Sequence, residues 1–177
     1  MMQHLTRKDY TEMPWANGGG TTVEMQRVNA ASGAMLWRFS MATVAEDGPF
    51  SQFPQIERNL TVIDGPGFDL VGKRVLRADP LCPVAFPGDI PLSAQNVTGI
   101  ATDFNVMTHR SLPKPIVTVV QNDRVTPLSG ATLCVFALGK ARFSGSDLMH
   151  HHLLVNAPEG EVSGAPCVVV QLFTQAR

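Results

Sequence analysis

Fifteen glycines and thirteen prolines are spread along these 177 residues, about one residue in six. Average usage is roughly 12%. This punctuation constrains the fold more than any other feature. A proline lacks the amide hydrogen that a helix interior needs, and a glycine there costs backbone entropy. Most windows of twelve residues hold one or the other, and no stretch sustains an apolar period of 3.6 residues. The segments between are short and β-rich. Leu36–Val44 alternates, with Trp37, Phe39 and Met41 on one face and Arg38, Ser40 and Ala42 on the other. Leu60–Ile63 is closed by Asp64-Gly65-Pro66-Gly67, a turn signal, and Phe68–Val71 restarts a strand. Cys82–Phe86, Ala101–Met107, Ile116–Gln121, Ala131–Leu138, Leu153–Asn156 and Cys167–Thr174 follow the same pattern. Many short strands at a spacing of roughly 8–12 residues predict an all-β sandwich or barrel.

The length fits one domain or two small halves that share a core. A weak repeat favours halves. Leu60-Thr61-Val62-Ile63 and Leu133-Cys134-Val135-Phe136 stand 73 residues apart (60 to 133), and Gly72 aligns with Gly145 at the same offset. Hydrophobic content of 44% and charged content of 16% describe a globular chain. A net charge of -1 with no basic cluster argues against nucleic acid as partner. No apolar run approaches 18 residues and the first ten residues carry no apolar signal core, so the expectation is a soluble, cytoplasmic protein off the membrane. Cys82, Cys134 and Cys167 are scattered without zinc spacing and read as buried reduced thiols. Exposed sheet edges would allow a homodimer.

The chemistry-bearing residues concentrate in the first two-thirds. Trp15 to Glu24 is a glycine-rich loop entering a strand; no Lys follows and no helix opens, so it is neither a P-loop nor a dinucleotide fingerprint. Arg38 and Ser40 share a face with the small Ala42. If that face looks inward, Arg38 needs either a carboxylate such as Glu24 or an anionic ligand; the bland reading is a solvated surface arginine. Asp47 to Arg58 is a long connection that Phe50 and Phe53 would anchor, and it ends with Arg58 at the head of a strand. Asp103, Asn105 and Met107 share one face, and inward polar residues in such a run need partners. Arginine outnumbers lysine ten to four, which hints at carboxylate recognition and no more. His150-His151-His152 invites a metal reading, with His150 and His152 on one face of a strand between Gly145 and Glu159. The spacing departs from the cupin metal motif, and a surface turn or strand end competes with it. No G-x-S-x-G or other nucleophile signature is present, and His109 reads as structural.

Five blocks together resemble the HutD/Ves family in order and spacing: Trp15-x-Asn17-Gly18-x-Gly20; Glu24; Trp37-Arg38-x-Ser40-x-Ala42; Gly48-Pro49-Phe50-Ser51-x-Phe53-Pro54 with Arg58; and Asp103-Phe104-Asn105-x-Met107. The likeness runs from about Trp15 to Met107; past about Arg110 it is only to a generic second barrel half. Gln55 departs from it, standing where the family usually has glycine after Phe-Pro. The resemblance implies a bicupin: two cupin-like β-barrel (jelly-roll) halves packed in one compact unit. Residues 1–110 would form the half with the motif-bearing pocket and 111–177 the second, with strand exchange between them allowed. It further implies a metal-free protein without cofactor, associated with histidine utilisation in bacteria. Such a protein would be a regulator that binds a small carboxylate such as urocanate or formylglutamate, and not an established enzyme. Arg38 and Arg58 would hold the carboxylate. Ser40, Ser51 and Asn105 would orient it, Trp15 and Phe50 would wall it, Asn17 would lie beside it, and Glu24 would hold an arginine or meet a donor on the ligand. The alternatives are a metal-dependent cupin enzyme using His150 and His152, and a barrel that binds another protein.

Overall fold

The computed structural model describes residues 1–14 and 20–175. Among these the chain forms nineteen strands, one 3-10 turn at Arg7–Asp9 and no α-helix. The strands are β1 (Gln3–Leu5), β2 (Thr11–Pro14), β3 (Thr21–Asn29), β4 (Met35–Val44), β5 (Gly48–Pro49) and β6 (Ile56–Asp64). Then come β7 (Phe68–Val71), β8 (Val75–Ala78), β9 (Val84–Pro87), β10 (Ser93–Gln95), β11 (Ala101–His109), β12 (Ile116–Val120) and β13 (Asp123–Val125). The last six are β14 (Ala131–Ala137), β15 (Ala141–Phe143), β16 (Ser146–Leu148), β17 (Leu153–Val155), β18 (Gly160–Gly164) and β19 (Cys167–Phe173).

Two compact units result, one of Thr11–Arg110 and one of Met1–Tyr10 with Ser111–Arg177. The first holds a six-stranded sheet, β2-β3-β4-β11-β6-β9, and a four-stranded sheet, β5-β10-β7-β8. The second holds β1-β17-β14-β19-β12 and β13-β18-β15-β16. Counted from β4 and from β12, each unit runs through eight strands paired in the same two orders, 1-8-3-6 and 2-7-4-5. That is the jelly-roll arrangement of two Greek keys. The 73-residue offset carries Leu60 of β6 onto Leu133 of β14 and Phe68 of β7 onto Ala141 of β15, strands in equivalent places. Among the described residues a sheet closes on itself in neither unit, because the outer strands stay unjoined. The expected barrels are therefore open two-sheet sandwiches.

Alternation places the core. In the first unit Leu60 and Val62 of β6 pack with Phe68 and Leu70 of β7, Ala94 of β10 and Phe86 of β9. In the second, Leu133 and Val135 of β14 pack with Phe143, Leu148, Leu154 and Val162. Each fully buried side chain of this size contributes about 1.5–3 kcal/mol. The runs named from the sequence are found as strands, most with shifted ends, while the sequence reading misses the short strands β1, β2, β5, β8, β10, β13, β15, β16 and β18. β6 begins at Ile56, two residues before Arg58, and Glu57, Arg58 and Asn59 are buried in it despite their polarity. β9 begins at Val84, since Pro83 breaks the run. Cys82 is exposed in that connection, unlike the buried Cys134 and Cys167.

The turn after β6 depends on Gly65. Its φ is +80°, where an L side chain is strained, and an added Cβ would lie 2.1 Å from the carbonyl oxygen of Ile100. Gly33 has a similar φ of +86° but nothing within 4 Å of an added Cβ. Gly33→Ala is expected to cost about 1 kcal/mol from strain alone, and Gly65→Ala at least about twice that, because backbone must shift as well. Chemical denaturation of the two variants side by side checks this; equal losses would show that the contact with Ile100 is not felt.

Candidate functional site

Three neighbouring strands of the six-stranded sheet build a polar floor. The register sets Ser40 opposite Asn105, Ala42 opposite Asp103, and Arg38 and Arg58 on either side of Met107. Glu24 of β3 stands opposite Ser40, and Thr22 opposite Ala42. Period-two alternation turns these residues to one face while Phe39, Phe104 and Val106 are buried on the other. A cavity of about 440 Å³ lies over the floor, a size that suits a small ligand.

The connection after β4 covers the mouth. Gly48–Pro49 pairs with β10. The Phe50 amide donates to the Leu92 carbonyl at 2.8 Å and the Phe53 amide to the Gly88 carbonyl at 2.7 Å. Tied at both points, the connection presents Phe50 and Phe53 to the arginines. The Arg58 guanidinium carbon lies 5.4 Å from the Phe50 ring centre, 5.4 Å from that of Phe53 and 5.2 Å from that of Phe86. Arg38 lies 5.6 Å from the Phe53 ring centre, so both cations converge on one phenylalanine. Such cation–π contacts strengthen when desolvated.

Arg58 is 8% exposed and Asp103 1%. They do not touch; Asn105 links them. Arg58 Nη2 donates to Asn105 Oδ1 at 2.8 Å, and Asn105 Nδ2 donates to Asp103 Oδ1. Arg58 Nη1 donates to the Ser51 carbonyl at 3.3 Å. Burial pushes the Asp103 carboxyl up to about 7, although the Arg58 charge and the Asn105 hydrogen bond both pull it down. Burial lowers Arg58 to about 10; the Asp103 charge resists this and the Arg38 charge adds to it. Arg38 is lowered too, by burial first, while Glu24 counteracts. Glu24 Oε2 stands 3.9 Å from Arg38 Nη1, and Ser40 Oγ 3.5 Å from Arg38 Nη2. These contacts are long and leave Arg38 weakly held. The Nε of each arginine and Oδ2 of Asp103 are buried without a hydrogen-bond partner.

Of the residues singled out in the sequence, Arg38, Ser40, Phe50, Ser51, Arg58 and Asn105 line this cavity. Glu24 stands beside Arg38 at its margin. Trp15 and Asn17 lie outside the described residues. Ser51 engages through its backbone carbonyl, and its side chain is exposed. The sequence reading left out Asp103 as a site residue, and with it Thr22 and Phe53. The alternation of Asp103 with Asn105 was the available signal. His150 and His152 fall in a turn between β16 and β17, not on a strand face, because His151 takes φ 65°. His152 Nδ1 sits 2.9 Å from His4 Nε2, the His150 ring lies 3.6 Å from that of His151, and Glu159 pairs with Arg124. Among the described residues no three His, Cys, Asp or Glu side chains are grouped to hold a metal.

The family model HutD matches residues 7–163. A curated Pseudomonas putida protein, described as an uncharacterised 21.2 kDa protein in the hutC 3′ region, is 36% identical over 109 residues. The match spans 60% of this chain and 57% of that relative's length. The structure of HutD from Pseudomonas fluorescens SBW25 in a formate condition superposes with a TM-score of 0.88 at 31% identity, covering 99% of this chain and 100% of that one. A nickel-complexed bacterial pirin from Escherichia coli shares the fold alone, with 6% identity and a TM-score of 0.65 over 99% of this chain and 100% of that one. The fold is thus cupin-like.

Asp103 makes stability depend on pH. Its folded value of about 7 lies above its ordinary 3.8, so the folded state holds the proton more tightly. The stability this gives is complete below about pH 4 and is lost as pH rises through 7. Asp103→Asn, which mimics the protonated form, is expected to gain on the wild type between pH 4 and 7.5 and then level off. Urea midpoints across that range check this; a constant difference between the two would show that Asp103 does not titrate there.

Proposed function

The chain belongs to the HutD family, and from that premise we propose that it binds a small carboxylate of histidine utilisation and regulates the pathway in response. The observation that carries this reading is the pair of guanidinium groups converging on Phe53 within one cavity. Arg58 is buried among three aromatic rings with neutral direct partners, and Arg38 has only a distant carboxylate. A buried positive charge of this kind is stabilised by an anion that enters beside it. Guanidinium groups match a carboxylate through two parallel N–H donors. Phe50 and Phe53 would wall the ligand, and Ser40 would offer it a hydroxyl.

Urocanate and formylglutamate are small acids of that pathway and the first ligands to try. The positive charge comes from two side chains, so the proposed binding needs neither metal nor cofactor. The link to regulation rests on the family and on the P. putida relative, named for its place beside hutC. The proposed site of action is the cytoplasm, where catabolic intermediates accumulate. Among the described residues no helix is long and apolar enough to cross a membrane.

Thermal unfolding with each acid tests the reading. A ligand present at 100 times its Kd adds about 2.7 kcal/mol, which for a chain of this size raises Tm by roughly 5–10 °C. Arg58→Met, which keeps the bulk between the phenylalanines, is expected to abolish the rise. Arg77→Met, on the remote β8, should leave it intact. The proposal is wrong if no acid shifts the wild type or if Arg58→Met keeps the full shift.

A further inference from the structure

The cavity floor is polarised along β11. The Arg58 head group reaches the level of Asn105, to which it donates. Asp103 stands two residues further along the same strand, roughly 6.7 Å away at 3.3–3.4 Å per residue. Val62 of β6 flanks it on one side, and on the other its neighbours are small: Ala42 on β4 and, beyond it, Thr22 on β3. Asp103, Ala42 and Thr22 are the ones that face the cavity. The cationic end therefore has room beside a carboxylic end.

Asp103 is 1% exposed, Asn105 occupies its Oδ1, and its Oδ2 has no hydrogen-bond partner. A buried polar atom left this way is costly, and here it belongs to a residue that borders a cavity. Asn105 is committed at both ends of its amide, to Arg58 and to Asp103. It holds the carboxyl group in one orientation and leaves Oδ2 as the remaining acceptor.

We propose that Asp103 is a specificity-determining residue of this pocket, whose free carboxyl oxygen accepts a hydrogen bond from an N–H or O–H on the ligand. The ligand class is then a small acid that carries a donor roughly 6–7 Å from its carboxylate. The inference rests on the carboxylate reading above: the arginines hold the acid group, and Asp103 selects what lies at its other end. An acid with only an acceptor there sets two lone pairs against each other and binds more weakly.

Two isosteric probes separate donor from acceptor. 3-(3-Pyrrolyl)acrylate and 3-(3-furyl)acrylate share the acid, the spacer and the ring size, and differ in a ring N–H against a ring oxygen. Calorimetry at pH 8 is expected to show the pyrrole acid binding the wild type roughly tenfold or more tightly than the furan acid. In Asp103→Asn the Asn105 amide still needs an acceptor, so the new amide turns its N–H2 toward the ligand and the preference inverts. In Asp103→Leu the ratio falls to about one. Thermal melts confirm that each variant is folded, and either variant alone suffices. Equal binding of the two probes by the wild type, a preference for the furan acid, or an unchanged ratio in the variants overturns the inference and leaves the carboxylate reading standing. So does failure of both probes while urocanate or formylglutamate binds. If no acid binds the wild type, both fall together.

Discussion

A guanidinium group held away from water among three phenylalanine rings is the constraint around which this unit is arranged. Arg58 is 8% exposed, and a charge so placed is tolerated only if its surroundings substitute for water. They do so with unlike means. Phe50, Phe53 and Phe86 turn ring faces toward it, Asn105 and the Ser51 carbonyl accept from it, and Asp103 supplies opposite charge through Asn105. Gly88 belongs to the same arrangement, since a Cβ there would come within 2.8 Å of the Ile56 carbonyl and 3.3 Å of Arg58 Cγ. The connection from Gly48 to Gln55 is thus fixed by the arginine as much as it covers it.

The two units repeat one strand order but only one carries this chemistry. Register makes the comparison residue by residue. Leu60 of β6 corresponds to Leu133 of β14; from that pair, Arg58 corresponds to Ala131, Asp103 to Val169, Asn105 to Gln171 and Ser40 to Ile116. Three of the four polar positions are apolar in the second unit. The fourth, Gln171, is spent on the backbone, donating to the Thr126 carbonyl and accepting from the Leu128 amide. A jelly roll needs its core rows filled; it does not need a polar floor. The floor in the first unit therefore reflects something other than folding, consistent with function residing in side chains grafted on a frame.

Much of this frame was legible locally. Turn signals fixed the punctuation, and alternation in Leu36–Val44 put Arg38 and Ser40 on the correct common face. The site was less legible because its contacts are remote. Arg58 meets Asn105 across 47 residues, and no local pattern ties Phe86 to either. Polarity also misled at Glu57, which looks like the end of a connection and is buried strand. The three histidines, readable as strand ligands or as a surface turn, form the turn, in which His151 adopts a left-handed conformation that sequence seldom announces. Gln55 taught the opposite lesson. It takes φ 63°, the region glycine occupies without strain, so its departure from a family glycine marked a real turn position.

Two bulges border the polar floor. On β11 the pairing with β6 slips by one residue between Thr102 and Asp103: Asp103 faces Val62, while Thr102 faces Asp64. On β3 the pairing with β4 slips between Glu24 and Gln26, so Glu24 faces Ser40 and Gln26 faces Phe39. A slip of one residue exchanges the faces to which side chains point. On β6 the unpaired Ile63 ends the row of Arg58, Leu60 and Val62, while β11 keeps its alternation through Asp103 to Ala101; on β3 the unpaired Met25 separates Glu24, opposite Ser40, from Arg27, opposite Arg38. Both arginines of the floor stand at the level of Met107, Glu24 stands at the level of Asn105, and Asp103 is left at the far end, two residues beyond Asn105; the two carboxyl groups partly neutralise the arginines. Bulges recur beside binding sites because they aim a side chain that a regular strand would misdirect. The charge pattern follows the register instead: the cations converge over Phe53 at the level of Met107, and Asp103 lies four residues along β11 from that level, so the floor is positive at one end and acidic at the other.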